Sequence, residues 1–367
     1  MMKSVQLPRE LAALGVEIRK DMTFAQLTTL RVGGPIGVIV DCPTHESVFA
    51  AAGALADAQV PTVHLGGGSN LVAADEGWPG AVLRVTSQGL SAEVEHGSAR
   101  SAVSVDAGIV WDDLVAFTVE SGLGGLECLS GIPGNAGASV KQNIGAYGAQ
   151  LSDCLVAAEL WNWSTGEHRW ATAESLRLGY RSSAIRREEC VVVLALRLRL
   201  SSDGLSAPIR YRELAVEVGV REGERAPARD VREAVLRLRA GKGMLLDEDD
   251  HDTWSTGSFF VNPVLSQPDA ARLFPEGPPR GMPWYPDGSS AKLSAAWLIE
   301  RSGFAKGFPG EGSPARLSTK HTLAITNRGS ATAADVLALA KQVQAGVFDA
   351  FGVRLEPEPI VLGGGLD

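Results

Sequence analysis

Cysteine is scarce in this chain and scattered where it occurs. The four cysteines stand at positions 42, 128, 154 and 190, with no C-x-x-C and no tight cluster. A disulfide scaffold and a structural zinc site are therefore not expected. Runs of basic residues are absent as well. The 34 Lys+Arg are outnumbered by 43 Asp+Glu, for a net charge of −9, and a nucleic-acid partner calls for a basic face. Of those basic residues only eight are lysine, a genomic bias without mechanistic content. Long apolar runs are missing too. Cys190–Leu196 is wholly apolar but far short of the ~20 residues that span a bilayer. Met1–Pro8 holds no apolar core of a secretory signal. These absences predict a soluble, cytoplasmic protein with neither membrane nor nucleic acid as partner.

What is present is ordinary globular composition, 45% hydrophobic and 21% charged over 367 residues. At ~150 residues per domain that length predicts two or three domains. Glycine is abundant at 42 residues, which points to tight turns or ligand-hugging loops. Gly37–Val40, Pro61–Leu65, Ala81–Val85, Ala102–Val105 and Val191–Leu200 read as strands. Thr44 can cap a helix carrying Val48, Phe49, Ala52 and Leu55, and Trp111–Ser121 reads as a helix stopped by Gly122. Val231–Ala240 and Leu293–Arg301 read as helices. Thr332 and Asp335 open a last helix with apolar residues from Val336 to Phe351 at helical spacing. The polar stretch Ser201–Pro208 suggests a domain boundary, and Gln267–Ser290, crowded with proline and glycine, reads as loop.

Two glycine-rich segments are where chemistry could sit. Gly66-Gly67-Gly68-Ser69-Asn70 follows a strand. Three residues without Cβ let backbone N–H groups crowd an anion, and the same triplet suits a plain tight turn equally well. It fits neither the Walker pattern nor GxGxxG opening a helix. The second segment, Ser130-Gly131-Ile132-Pro133-Gly134-Asn135-Ala136-Gly137-Ala138 and Asn143-Ile144-Gly145-Ala146-Tyr147-Gly148, holds five glycines. That is more bare backbone than a connecting loop needs, and a ring or dinucleotide could lie against it.

Those loops occur in order with Thr29-Leu30-Arg31-Val32-Gly33-Gly34, Tyr180-Arg181-Ser182-Ser183, Gly257-Ser258-Phe259-Phe260-Val261-Asn262-Pro263, Lys292–Ile299 and Leu355-Glu356-Pro357-Glu358. The set resembles the UDP-N-acetylenolpyruvoylglucosamine reductase (MurB) family, type I, over nearly the whole chain. The loops alone would fit other flavin oxidases; the GSFF-x-NP and C-terminal LxxE segments narrow the resemblance. It implies an α+β fold with a two-part PCMH-type (vanillyl-alcohol-oxidase-like) FAD-binding region at 1–85 and 86–205. A substrate-binding domain at 206–367 would follow, its extreme C-terminus returning to the active site. It also implies a monomer with non-covalent FAD that takes hydride from NADPH and reduces a UDP-sugar enolpyruvyl ether in cell-wall precursor synthesis. The alternative is an oxygen-dependent FAD oxidase acting on an alcohol or sugar. Such oxidases often tether flavin through histidine, for which His45, His64 and His96 are the candidates in the first hundred residues.

The same resemblance implies the site. Arg181, Ser258 and Glu358 are the expected catalytic residues. On their own they would read as a solvated charge, a strand-edge hydroxyl and a surface carboxylate. Arg31, Gly66, Gly67, Gly68, Ser69, Asn70, Gly131, Ile132, Pro133, Gly134, Gly137, Ala138, Asn143 and Arg239 are expected to bind cofactor. Tyr211, Lys242, Asn262 and His321 are expected to bind substrate, although His321 reads equally well as a plain surface histidine. No metal is expected. Val261 departs from the basic residue many members carry there, and Glu356 competes with Glu358 until the family spacing selects the second.

Overall fold

The computed structural model describes residues 10–94 and 99–363. The chain packs as two units interleaved in sequence. Among the described residues the first comprises 10–22, 36–68, 78–94 and 99–245; the second comprises 23–35, 69–77 and 246–363. Residues 206–245, expected with the C-terminal domain, thus pack with the first unit.

In the first unit, a four-stranded sheet runs in the order Glu17–Arg19, Ile36–Cys42, Trp78–Val85, Thr62–His64. Its last three strands are parallel, joined in part by the helix His45–Asp57, which Thr44 caps through Ser47. Ile36–Cys42 is buried nearly end to end, as a parallel strand covered on both faces must be. The second sheet is antiparallel: His168–Thr172, Leu155–Asn162, Val191–Ser201, Arg100–Asp106, Leu90–Val94. Val38, Val40 and Leu83 of the first sheet share one core with Trp161, Val192 and Leu194 of the second. The helix Trp111–Glu120 packs on the other core, through Trp111, Leu114 and Val115. The helices Arg212–Val218 and Ala228–Gly241 close a smaller cluster around Val231 and Val235.

In the second unit, the helix Ala333–Phe351 buries Val336, Val343 and Val347 against Phe259, Phe260, Leu298 and Leu355. The expectation of loop over 267–290 is corrected here. The segment opens with the helix Gln267–Leu273, capped by Ser266 and carrying proline in its first turn, where a missing N–H costs nothing. It ends in the hairpin Trp284–Asp287 with Ser290–Leu293. The breakers that misled are concentrated between these elements. The next helix is Ala295–Arg301, capped by Ser294, so Leu293 belongs to the strand before it. Among the described residues no helix is long and apolar enough to cross a membrane.

Candidate active site

The first unit brings the two glycine-rich loops face to face. A Cβ on Gly67 would stand 2.7 Å from both Asn135 Oδ1 and Gly134 Cα, and one on Gly66 would stand 3.0 Å from Ala138 Cβ. The missing side chains are therefore required by loop-on-loop contact, besides any ligand. Gly137 is bare for another reason: a Cβ there would come 2.6 Å from Ala107 Cβ, and its N–H donates to the Ala107 carbonyl at 3.0 Å. Gly134 gives its carbonyl to the Trp111 N–H at 2.9 Å. The Gly131 N–H donates to Asp112 Oδ1 at 2.5 Å, so this donor is spent inside the protein. Ile132 is half-buried and Pro133 exposed.

Arg239 lies against this loop. Its side chain is 9% exposed; Nη2 donates to the Met244 carbonyl at 2.9 Å, while Nε makes no hydrogen bond. A Cβ on Gly131 would be 3.2 Å from that Nε. Burial works against the Arg239 charge, and the Asp112 carboxylate supports it. A buried cation with an unspent donor beside a glycine-rich loop suits a flat, anionic ligand. FAD has that character, and these residues fit it.

Asn143 is fully buried at φ +45°. Its Oδ1 accepts from the Ser152 N–H at 2.9 Å, and its Nδ2 donates to the Gly179 carbonyl at 3.0 Å and to Gln150 Oε1 at 3.2 Å. The amide ties down the turn Gly179–Ser182. Arg181 sits on that turn at φ +49°. Its Nη2 donates to the Gly145 carbonyl at 2.7 Å, so the Asn143–Gly148 motif fixes Arg181 at two points.

Tyr147 belongs to the same motif. Its ring meets Tyr211 edge-on at 5.4 Å, and the Lys242 ammonium stands 5.6 Å from its centroid. It therefore gathers two expected substrate residues. Burial pushes its phenol up to about 12, so it remains an uncharged donor. Lys242 follows the helix Ala228–Gly241 and pairs with Glu213 Oε2 at 2.5 Å. Tyr211 precedes the helix Arg212–Val218 and is exposed.

The second unit assembles Ser258 and Glu358. Gly257 turns the chain at φ +75°, and Phe259 enters between two partners. Its N–H donates to the Leu323 carbonyl at 2.7 Å, and its carbonyl accepts from the Glu358 N–H at 2.9 Å. Val261 donates to the Glu356 carbonyl at 3.0 Å, and Phe260 bridges Pro357. Ser258 and Glu358 are thus one step apart in an antiparallel register. Both are half-buried, whereas Glu356 is exposed. The C-terminal return is explicit: Asn70 Nδ2 donates to the Glu358 carbonyl at 3.2 Å, and Ile360–Leu362 pairs in parallel with Leu71–Ala73. Ser69 counts with this unit, while Gly66–Gly68, ending at φ +64°, counts with the first.

His321 lies in the turn that leads to Leu323, with its N–H on Ser318 Oγ at 3.2 Å. Asp252 holds the start of that turn, accepting from the Thr319 N–H at 2.9 Å. Asn262 continues the Ser258 segment, and its Oδ1 accepts from the Ala295 N–H at 2.9 Å, which fixes the amide. Arg31, at φ +56°, stacks over Trp254 at 4.0 Å and reaches Glu248 at 3.3 Å. Among the described residues no group of histidine, cysteine and carboxylates could hold a metal ion.

Residues 36–172 match the FAD binding domain family, and residues 249–362 match the C-terminal domain of UDP-N-acetylenolpyruvoylglucosamine reductase. The UDP-N-acetylenolpyruvoylglucosamine reductase of Nocardia farcinica is 52% identical over 357 residues, 96% of this chain and 92% of that protein. That of Mycobacterium tuberculosis is 47% identical over 362 residues, 95% of this chain and 96% of that protein. The crystal structure of the Thermus caldophilus reductase superposes with a TM-score of 0.62 at 27% identity, covering 95% of this chain and 98% of that one. This chain belongs to the UDP-N-acetylenolpyruvoylglucosamine reductase family, with a PCMH-type FAD-binding domain and that family's C-terminal domain in one α+β fold.

Proposed function

We propose that this chain reduces UDP-N-acetylglucosamine enolpyruvate to UDP-N-acetylmuramate with NADPH as donor, serving cell-wall precursor synthesis. The observation that carries the reading is the pairing of the Ser258 segment with the Glu358 segment in a chain that matches the family along nearly its whole length. When bound, FAD supplies the relay that moves hydride from the nicotinamide to the enolpyruvyl group. Gly66–Asn70, Arg31, Gly131–Gly134, Gly137, Ala138 and Arg239 would hold it, while Asn143 acts through the Arg181 turn.

The chain's own residues then manage charge and one proton. Reduction at the vinyl terminus leaves negative charge at the carbon beside the carboxylate, an enolate. Arg181 offers a permanent positive charge held by the Gly145 carbonyl. Glu358, kept protonated, would donate a hydrogen bond to the same charge. Ser258 would pass its hydroxyl proton to the α-carbon; a weak acid suffices because the acceptor is a strong base. Lys242 would hold the diphosphate in exchange for Glu213, with Tyr211, Asn262 and His321 around the rest of the substrate.

The oxidase alternative has less behind it. His45 Nδ1 lies 3.8 Å from Glu159, and the His64 ring packs edge-on against Trp163 at 5.7 Å. His96 is outside the described residues. We further infer a cytoplasmic location, since both co-substrates are soluble nucleotides. The test is spectroscopic. The purified protein is expected to be yellow, NADPH should bleach it, and the enolpyruvyl UDP-sugar should restore the colour anaerobically. Bleaching by an alcohol or sugar with recovery by oxygen, and no response to the enolpyruvyl UDP-sugar, would favour the oxidase.

A further inference from the structure

Asp112 stands on the first turn of the helix Trp111–Glu120 and makes three hydrogen bonds. Oδ1 accepts from the Gly131 N–H at 2.5 Å and from Arg232 Nη1 at 2.6 Å; Oδ2 accepts from Arg232 Nη2 at 2.9 Å. Arg232 belongs to the helix Ala228–Gly241, which also carries Leu236 and Arg239. All of these lie in the first unit. A Cβ on Gly131 would stand 3.0 Å from Leu236 Cδ2 and 3.2 Å from Arg239 Nε. The helix therefore grips Gly131 twice: through the Arg232–Asp112 fork on its N–H, and through Leu236 and Arg239 over its Cα. A bidentate guanidinium–carboxylate pair fixes direction as well as distance. The pair is well shielded, with Arg232 16% and Asp112 32% exposed.

We propose that Asp112 and Arg232 are positioning residues for the cofactor loop, acting through the Gly131 N–H, and that Arg232 also cancels the charge Asp112 would otherwise present to an anionic ligand. The proposal rests on the reading that the Gly131–Gly134 loop holds FAD. Without the fork, Gly131 is free to leave its left-handed conformation at φ +68°, and the loop must be ordered at the expense of binding. Without Arg232 alone, a carboxylate also remains beside the loop with its counter-charge removed. The two truncations should therefore differ, which a bracing pair distant from the ligand would not produce.

The experiment uses the full chain stripped of flavin and titrated with FAD, following quenching of flavin fluorescence. Asp112→Ala should raise the FAD Kd roughly tenfold or more, the loss expected for one hydrogen bond to a charged group. Arg232→Ala should raise it further, and salt should relieve part of the excess. Arg232→Lys keeps the charge without the fork and should fall between wild type and Arg232→Ala, which keeps the test open if a truncation fails to fold. Arg225→Ala removes the ion pair to Asp203 in the same unit, and should lower Tm while leaving the Kd unchanged. Wild-type FAD affinity in folded Asp112→Ala and Arg232→Lys, with only Tm reduced, would overturn the proposal. A wild-type chain that binds no FAD would instead remove the reading beneath it.

Discussion

In the proposed mechanism Ser258 and Glu358 divide two tasks, giving up a proton and stabilising the charge that receives it. Ser258→Ala should leave flavin reduction by NADPH near wild type, because that half of the cycle needs no proton at the sugar ether. Reoxidation by substrate should fall by ~10²–10⁴, the range for loss of a general acid. Stopped-flow absorbance separates the two halves, and equal losses in both would assign Ser258 a structural role. Glu358→Gln keeps shape and a hydrogen-bond donor while removing the transferable proton. If the carboxyl acts by donation alone, Gln retains much of the activity and Ala does not; equal impairment would make Glu358 a proton relay. The parallel Glu356→Gln should be silent, since that side chain is exposed and only its carbonyl is used, by Val261.

Two short elements carry the positioning. The turn Gly179–Ser182 is held by the buried Asn143 amide and by Arg181 on the Gly145 carbonyl. Asn143→Ala should therefore slow substrate-driven flavin reoxidation tenfold or more through a loosened Arg181, while FAD affinity stays near wild type. A raised FAD Kd with normal reoxidation would return Asn143 to the cofactor. The helix Ala228–Gly241 ends just before Lys242, whose partner Glu213 would have to yield to the proposed diphosphate. Loss of such a contact removes binding common to ground and transition states. At ~1.5–3 kcal/mol for a charge-assisted hydrogen bond, Lys242→Ala should raise the substrate KM roughly ten- to a hundredfold with kcat little changed. Glu213→Gln should lower KM, by no more than about fivefold, because a partly exposed ion pair is worth ~1 kcal/mol at most. A pure kcat defect in Lys242→Ala would take that residue out of the binding role.

The molecule as a whole should hold its flavin without a covalent bond, and acid precipitation should release all yellow colour to the supernatant. Yellow pellets would identify a tether. Its acid stability should carry the mark of His64. Burial, helped by the Lys141 charge and opposed by a hydrogen bond at the Glu189 backbone, pushes His64 down to about 3. The unfolded chain then binds a proton below ~6.5 that the folded chain refuses. Stability falls as pH drops from about 6.5 toward 3, and is fully present above that window. Tm measured from pH 7 to 5 should fall less steeply in His64→Gln than in wild type. Identical slopes would show that the ring is protonated freely in the fold.

The sequence by itself determined the elements with strong periodicity or caps, such as the Thr44 and Thr332 helices and the Val191–Ser201 strand, because those signals are local. It also carried the order of motifs, from which family and cofactor were legible and from which the Arg181, Ser258 and Glu358 trio is proposed. Over 267–290 proline and glycine point to loop, because composition does not show where breakers fall relative to a helix turn or a hairpin. The tertiary structure alone decided that Gly67 is bare to admit Asn135, that Asn143 serves the Arg181 turn, and that Tyr147 collects Tyr211 and Lys242. It alone brought Asn70 to Glu358 across 288 residues and Asp112 to Arg232 across 120. Periodicity reports which face of an element is buried. It carries no information about which distant backbone group a buried donor will find, and that pairing is settled only when the whole chain has closed around it.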